Sequence, residues 1–135
     1  KRPGNRIKSL PNRFDISIYA GSHTSDEYTP FRYIFKATKK SFKELTFDIE
    51  YLKNLWELQK GICPYTNVQL ILPTHSNYKT ISYTHRASLD RIDSNIGYVE
   101  GNVEFVALPI NYLKSDRLSK EETLAYLKQI SFNFH

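Results

Sequence analysis

Residues 87–116 read ASLDRIDSNIGYVEGNVEFVALPINYLKSD: two short β-prone runs separated by turn residues, then the start of a helix. The run 87–92 predicts a strand, 93–97 a turn, 103–107 a second strand, and a helix follows from about Pro109 to Lys114. In this arrangement Asp90 falls near the end of the first strand and Asn102 opens the second. Asn111 lies on the helix, with Lys114 one turn later. Asp90 and Asn111 both offer hard oxygen ligands of the kind Mg²⁺ prefers, and a hairpin folded against the helix would bring them together. Asp and Asn are also ordinary turn and cap residues, so the residue types alone leave a metal site and a turn role both open.

Working outward, a helix is expected from Pro30, which suits a first helical turn, to about Lys40. Phe31, Ile34 and Phe35 would form its apolar face, with Arg32, Lys36, Lys39 and Lys40 elsewhere. A second helix should start after Asp48 as N-cap and end at Gly61, carrying Ile49, Leu52, Leu55, Trp56 and Gln59; Trp56 is expected to pack in the core. A turn at 63–67 and a strand at 68–72 follow, then a polar loop over 73–80. Ser119, with Glu122 three residues on, forms a capping box for a last helix whose apolar face is Leu124, Leu127 and Ile130. Upstream, residues 1–12 read as a basic arm, and Phe14, Ile16 and Ile18 alternate as a short strand.

A chain of 135 residues suits one compact domain, and 40% hydrophobic content with 14% aromatics argues against disorder. No run of about 20 apolar residues and no signal-like apolar segment is present, so a soluble, cytoplasmic protein with no membrane partner is expected. Cys63 is the only cysteine, which excludes an internal disulfide and a structural zinc site built from cysteine pairs. The opening KRPGNR, without Met, is what a piece of a longer protein would show. Charge is uneven. Residues 1–43 hold ten Lys/Arg against three Asp/Glu, while residues 44–135 hold nine against eleven. A basic upstream half fits a polyanionic partner, because Lys and Arg neutralise phosphates and release counterions, although a solvated surface is the plain alternative.

The segment Ser88 to Asp93, then Gly97-Tyr98, Gly101-Asn102-Val103 and Asn111 to Lys114, resembles the HNH nucleases of a bacterial and phage type. The core of that type runs S-L-D-R-I-D, G-Y, G-N-V, N-x-x-K. Leu55-Trp56, Gln59, Gly61 and Cys63 to Thr66 are similar to the element that precedes that core, so the likeness covers about residues 30–130. It implies an α+β fold with a ββα-metal hairpin-plus-helix core and flanking helices, residues 30–135 being the nuclease domain; residues 1–29 lie outside the likeness and read as a basic arm with a short strand. It also implies a DNA endonuclease, bacterial or phage-encoded, as the catalytic part of a restriction, homing or phage-related enzyme. Asp90 and Asn111 would hold one Mg²⁺ or another divalent cation such as Mn²⁺. Asn102 would fix the loop between the strands, and Lys114 would add a cation near the phosphate. Lys36, Lys39, Lys40 and Lys43 with Arg32, Arg91 and Lys114 are the expected DNA contacts. One site cuts one strand, so double-strand cleavage would call for a homodimer.

One slot departs from the commonest members of that family, which carry a His as general base where this chain has Arg91. Arginine stays protonated, so it cannot take a proton from water; it suits a phosphate clamp. His85 would need a bend to reach the site, and Asp93 is nearer but suits the turn. His23, His75 and His135 read as surface or terminal residues. The competing expectation is a nucleic-acid-binding module that keeps the fold without catalysis.

Overall fold

The computed structural model describes residues 25–42 and 44–133. The expected arm, the strand over residues 14–19 and Lys43 lie outside them. The order of elements is α1 (Thr29–Ser41), α2 (Ile49–Gln59), a 3-10 turn (Tyr83–His85), β1 (Ala87–Arg91), β2 (Val103–Ala107), α3 (Leu108–Lys114) and α4 (Lys120–Asn133). Among the described residues this is a mixed α+β arrangement around one two-stranded antiparallel sheet. Among the described residues no helix is long and apolar enough to cross a membrane.

The helix boundaries follow from local chemistry. Asp48 accepts a hydrogen bond from the Tyr51 backbone N–H at 2.9 Å and so caps α2. The helix stops where Lys60 and Gly61 take up left-handed φ values of 56° and 66°. A Cβ on Gly61 would lie 2.7 Å from the Trp56 ring and 2.5 Å from the Gln69 amide, so both the turn and the packing require glycine. At α4, Ser119 Oγ accepts from the Glu122 N–H and Glu122 Oε1 accepts from the Ser119 N–H, a reciprocal capping box.

The hairpin pairs Ala87 with Ala107, Leu89 with Phe105 and Asp90 with Glu104. Side chains alternate across it. On one face Leu89 and Phe105 meet α1 and α2, where Phe31 and Trp56 stand edge-on to Phe105 at 6.4 and 5.3 Å between centroids. On the other face Ser88, Asp90 and Glu104 meet groups from α3 and α4. Trp56 thus packs against the core.

A two-stranded sheet is marginal alone, and here side chains close both of its margins. Ile92 N–H donates to Asn102 O, which makes the alternate pairs the bonded ones and turns the backbone groups of Leu89 and Phe105 outward. On the β2 side, Gln59 donates to Phe105 O at 3.0 Å and accepts from Phe105 N–H at 2.7 Å. On the β1 side, Asn111 donates to Leu89 O, and Lys114 donates to Arg91 O. A residue and its i+3 neighbour on α3 therefore read two alternate carbonyls of the strand.

Two sequence expectations change. Residues 68–72 form no strand: Leu70 N–H bonds Gly61 O, whereas Ile71 N–H bonds His85 O and Ala87 N–H bonds Ile71 O. Successive residues serve different partners, leaving isolated bridges at Ile62–Gln69 and Ile71–Arg86. The expected apolar face of α4 is covered only in part, because Thr123 is fully buried and Leu127 packs on the core while Leu124 and Ile130 stay exposed.

Candidate functional site

A groove of about 710 Å³ runs beside β1, walled by α1 and α3; Asp90, Arg91, Asn111, Tyr98, Tyr112 and Asp116 are among its lining residues. Its volume lies within the roughly 300–1,000 Å³ of ordinary ligand pockets. Asp90 comes from the hairpin and Asn111 from the helix that follows, and both reach this one groove.

Asp90 is 3% exposed. Burial pushes its carboxyl up from the ordinary carboxylate range, while Lys114 pulls it back down. Lys114 Nζ stands 3.1 Å from Asp90 Oδ2, yet it directs hydrogen bonds to the carbonyls of Arg91 and Ile92. Oδ2 is therefore held by charge and has no aligned donor. Across the hairpin, Glu104 adds a second carboxylate to the same face, balanced by Lys120 at 3.1 Å. The buried Tyr65 hydroxyl lacks an aligned partner, and burial together with Glu104 and Asp90 pushes the phenol far up.

The Asn111 amide is oriented by its nitrogen. Nδ2 donates to Ser88 Oγ at 2.6 Å and to Leu89 O at 3.2 Å. A carbonyl can only accept, so this assignment leaves Oδ1 as the other end, and no described group donates to it.

Arg91 lies over the rings of Phe42 and Tyr98, at 5.0 and 5.3 Å from their centroids, and donates through Nη1 to Ser94 O. The guanidinium is thus held by two aromatic faces on the groove wall. Burial raises the Tyr98 hydroxyl, and Arg91 offsets part of that shift.

Asn102 ties the loop between the strands. It accepts from the Asp93 N–H and donates to the carbonyls of Asp93, Ile96 and Gly97. Its replacement by Ala strands these groups in a buried site, and we expect a loss of about 2–3 kcal/mol in urea unfolding. A loss below about 0.5 kcal/mol would show that the loop holds itself.

Two of the expected DNA contacts are corrected by position. Lys114 is completely buried beneath Asp90 and turned to backbone carbonyls, so it is a support for the site and not a surface cation. Arg32 is 8% exposed and pairs with Asp26 at 2.9 Å, because the turn before α1 places that carboxylate against it. Lys36, Lys39 and Lys40 remain exposed on α1. Of the histidines weighed as bases, His85 bonds the hydroxyls of Ser82 and Thr84, and His75 packs edge-on to Tyr33 at 5.0 Å. His23 and His135 lie outside the described residues. Asp93 accepts from Asn95 N–H and shapes the turn.

Ser88, Phe42, Glu104 and Asp116 were not singled out from the sequence. Glu104 was within reach of the hairpin register, which sets it opposite Asp90; the others depend on how α1 and α3 pack.

Hard-oxygen chemistry fits a divalent cation here: Asp90 and Asn111 both line the groove, the one with a carboxylate whose Oδ2 is turned to Lys114 and the other with an amide oxygen to which no described group donates. Among the described residues no group of three or more His, Cys, Asp or Glu side chains could hold an ion. A cation at this place would therefore keep several waters, as Mg²⁺ commonly does.

No family model matches the chain, and no solved structure matches it. It is similar to a protein of Enterobacteria phage T4 described as "Uncharacterized 29.0 kDa protein in dda-modA intergenic region", 28% identical over 85 residues. The matched stretch is 63% of this chain and 30% of that relative, so the chain spans less than a third of the curated relative it matches.

Proposed function

We propose that this chain is a metal-dependent DNA endonuclease domain with an HNH-type hairpin-and-helix core. The observation that supports the reading is that Asp90 and Asn111 both line one groove, with Arg91 braced on its wall. Asp90 and Asn111 would hold one Mg²⁺ or Mn²⁺, which when bound supplies Lewis acidity at a phosphate oxygen and a charge sink for the leaving oxygen. Arg91 clamps a second phosphate oxygen through its planar fork. Phe42 and Tyr98 hold the guanidinium flat, so little rotamer freedom is lost when the phosphate arrives. Arg91 cannot take the proton of the attacking water. Asp116, the other carboxylate on the groove wall, is the available acceptor.

A second reading, DNA binding without cutting, is favoured by Lys114, whose charge already balances Asp90 without an added ion. Nicking of supercoiled plasmid separates the two. The enzyme relaxes plasmid with Mg²⁺ or Mn²⁺ and stops in EDTA; retention of DNA with no nicking in any divalent ion favours the binder.

The exposed lysines of α1 supply affinity in either case. Replacing Lys36, Lys39 and Lys40 together with Ser should weaken binding alike on all sequences and flatten the salt dependence by up to about three units of log–log slope. Fluorescence anisotropy across a salt series reads both quantities. An unchanged slope removes α1 from the DNA-facing surface.

A further inference from the structure

We propose that the stacked pair Tyr83 and Tyr112 is a platform for an unpaired nucleobase, so that the groove favours DNA containing unpaired nucleotides over plain duplex. The inference rests on the nucleic-acid reading of the groove and names its substrate class.

Tyr83 belongs to the 3-10 turn just before β1, and Tyr112 follows Asn111 directly on α3. Their rings are near parallel at 14°, with centroids 6.4 Å apart. Tyr83 is 53% exposed and Tyr112 67% exposed, so core packing does not account for the pair. No described group hydrogen-bonds either hydroxyl, so the rings are not held out by their polar ends. Both rings are more than half exposed and so leave aromatic surface open to solvent, and every base offers a π-face to such a surface whatever its identity.

Position supplies the rest of the argument. Tyr112 lines the groove that holds Asp90 and Asn111, and its chain neighbour is the candidate ligand Asn111. Arg86 and Arg91 line the same groove alongside Asp90 and Asp116, and their guanidinium groups offer partners to the phosphates of a strand laid along it. A cleft of about 710 Å³ has room for a ligand-sized piece of single strand. A base-paired duplex would present its bases edge-on inside the stack, out of reach of a ring face, whereas an unpaired base can lie on Tyr112 while its phosphate enters the groove.

The test is binding of the whole chain in EDTA at fixed salt, read by fluorescence anisotropy with three labelled probes. These are a duplex, the same duplex with a central run of unpaired thymidines, and the latter with those thymidines made abasic. The thymidine probe should bind about tenfold or more tightly than the duplex, and the abasic probe should lose that gain. Tyr112→Ala should remove the preference, while Tyr112→Phe, which keeps the ring, should retain it. Equal affinity for the first two probes, a preference kept by the abasic probe, or one that survives Tyr112→Ala would overturn the inference. Because binding is read without metal, failure to nick plasmid leaves this result standing, and nicking with no probe preference removes the platform alone.

Discussion

Asp90→Asn should reduce metal-dependent plasmid nicking on the order of a thousandfold, because it takes the one buried carboxylate from the groove while keeping the side chain's size. The change also leaves Lys114 without its counter-charge, so the folded fraction is measured by circular dichroism and the rate is normalised to it. Asn111→Asp is the informative companion. It offers a better oxygen for a cation, but sets a carboxylate oxygen against Leu89 O where Nδ2 now donates. We expect it to lose activity as well, through misplacement of the helix side chain. Full nicking by a well-folded Asp90→Asn protein would sink the metal assignment.

Lys114→Met should be strongly destabilising. It leaves Asp90 charged and buried, and it removes the donor from the Arg91 and Ile92 carbonyls. Breaking one side of a buried pair costs about 3–5 kcal/mol, which corresponds to a fall of roughly 10 °C or more in Tm for a domain this size. Thermal unfolding in metal-free buffer measures it. Without Lys114 the folded-state pKa of Asp90 rises further above 3.8. A carboxyl raised in the folded state contributes stability that is present below its unfolded pKa and lost as pH climbs through the folded one, so the defect should shrink in acid and grow toward neutrality. The double change Asp90→Leu with Lys114→Met should recover part of the loss, since an apolar pair leaves no charge unmatched. A Tm within about 2 °C of wild type for Lys114→Met would show that water reaches the pair.

Much of the fold was legible because it is set locally. Asp48 and Gly61 bracket α2, Ser119 and Glu122 start α4, and the turn at 93–97 leaves room for one antiparallel pairing. What escaped depends on partners far along the chain. Residues 68–72 have strand-like composition, but two different segments claim their backbone groups. Arg32 and Lys114 look like surface cations in sequence, and only packing against Asp26 and Asp90 turns them inward. Asp90 and Asn111, the two oxygen-bearing residues of the proposed site, were nameable beforehand, and both line the groove. The neighbours that orient them, Ser88 for the amide and Lys114 for the carboxylate, were not assigned those roles, because side-chain reach across a hairpin is a tertiary fact.

The side chains that occupy the outer rims of the hairpin also bear on how copies of this protein would meet one another. Exposed strand rims are where neighbouring molecules zip together, and here Gln59 fills the donor and acceptor slot of Phe105 that an incoming chain would use. Gln59→Ala would therefore leave the Phe105 N–H and C=O without these partners, and a greater tendency to associate on storage is where its loss should first be felt.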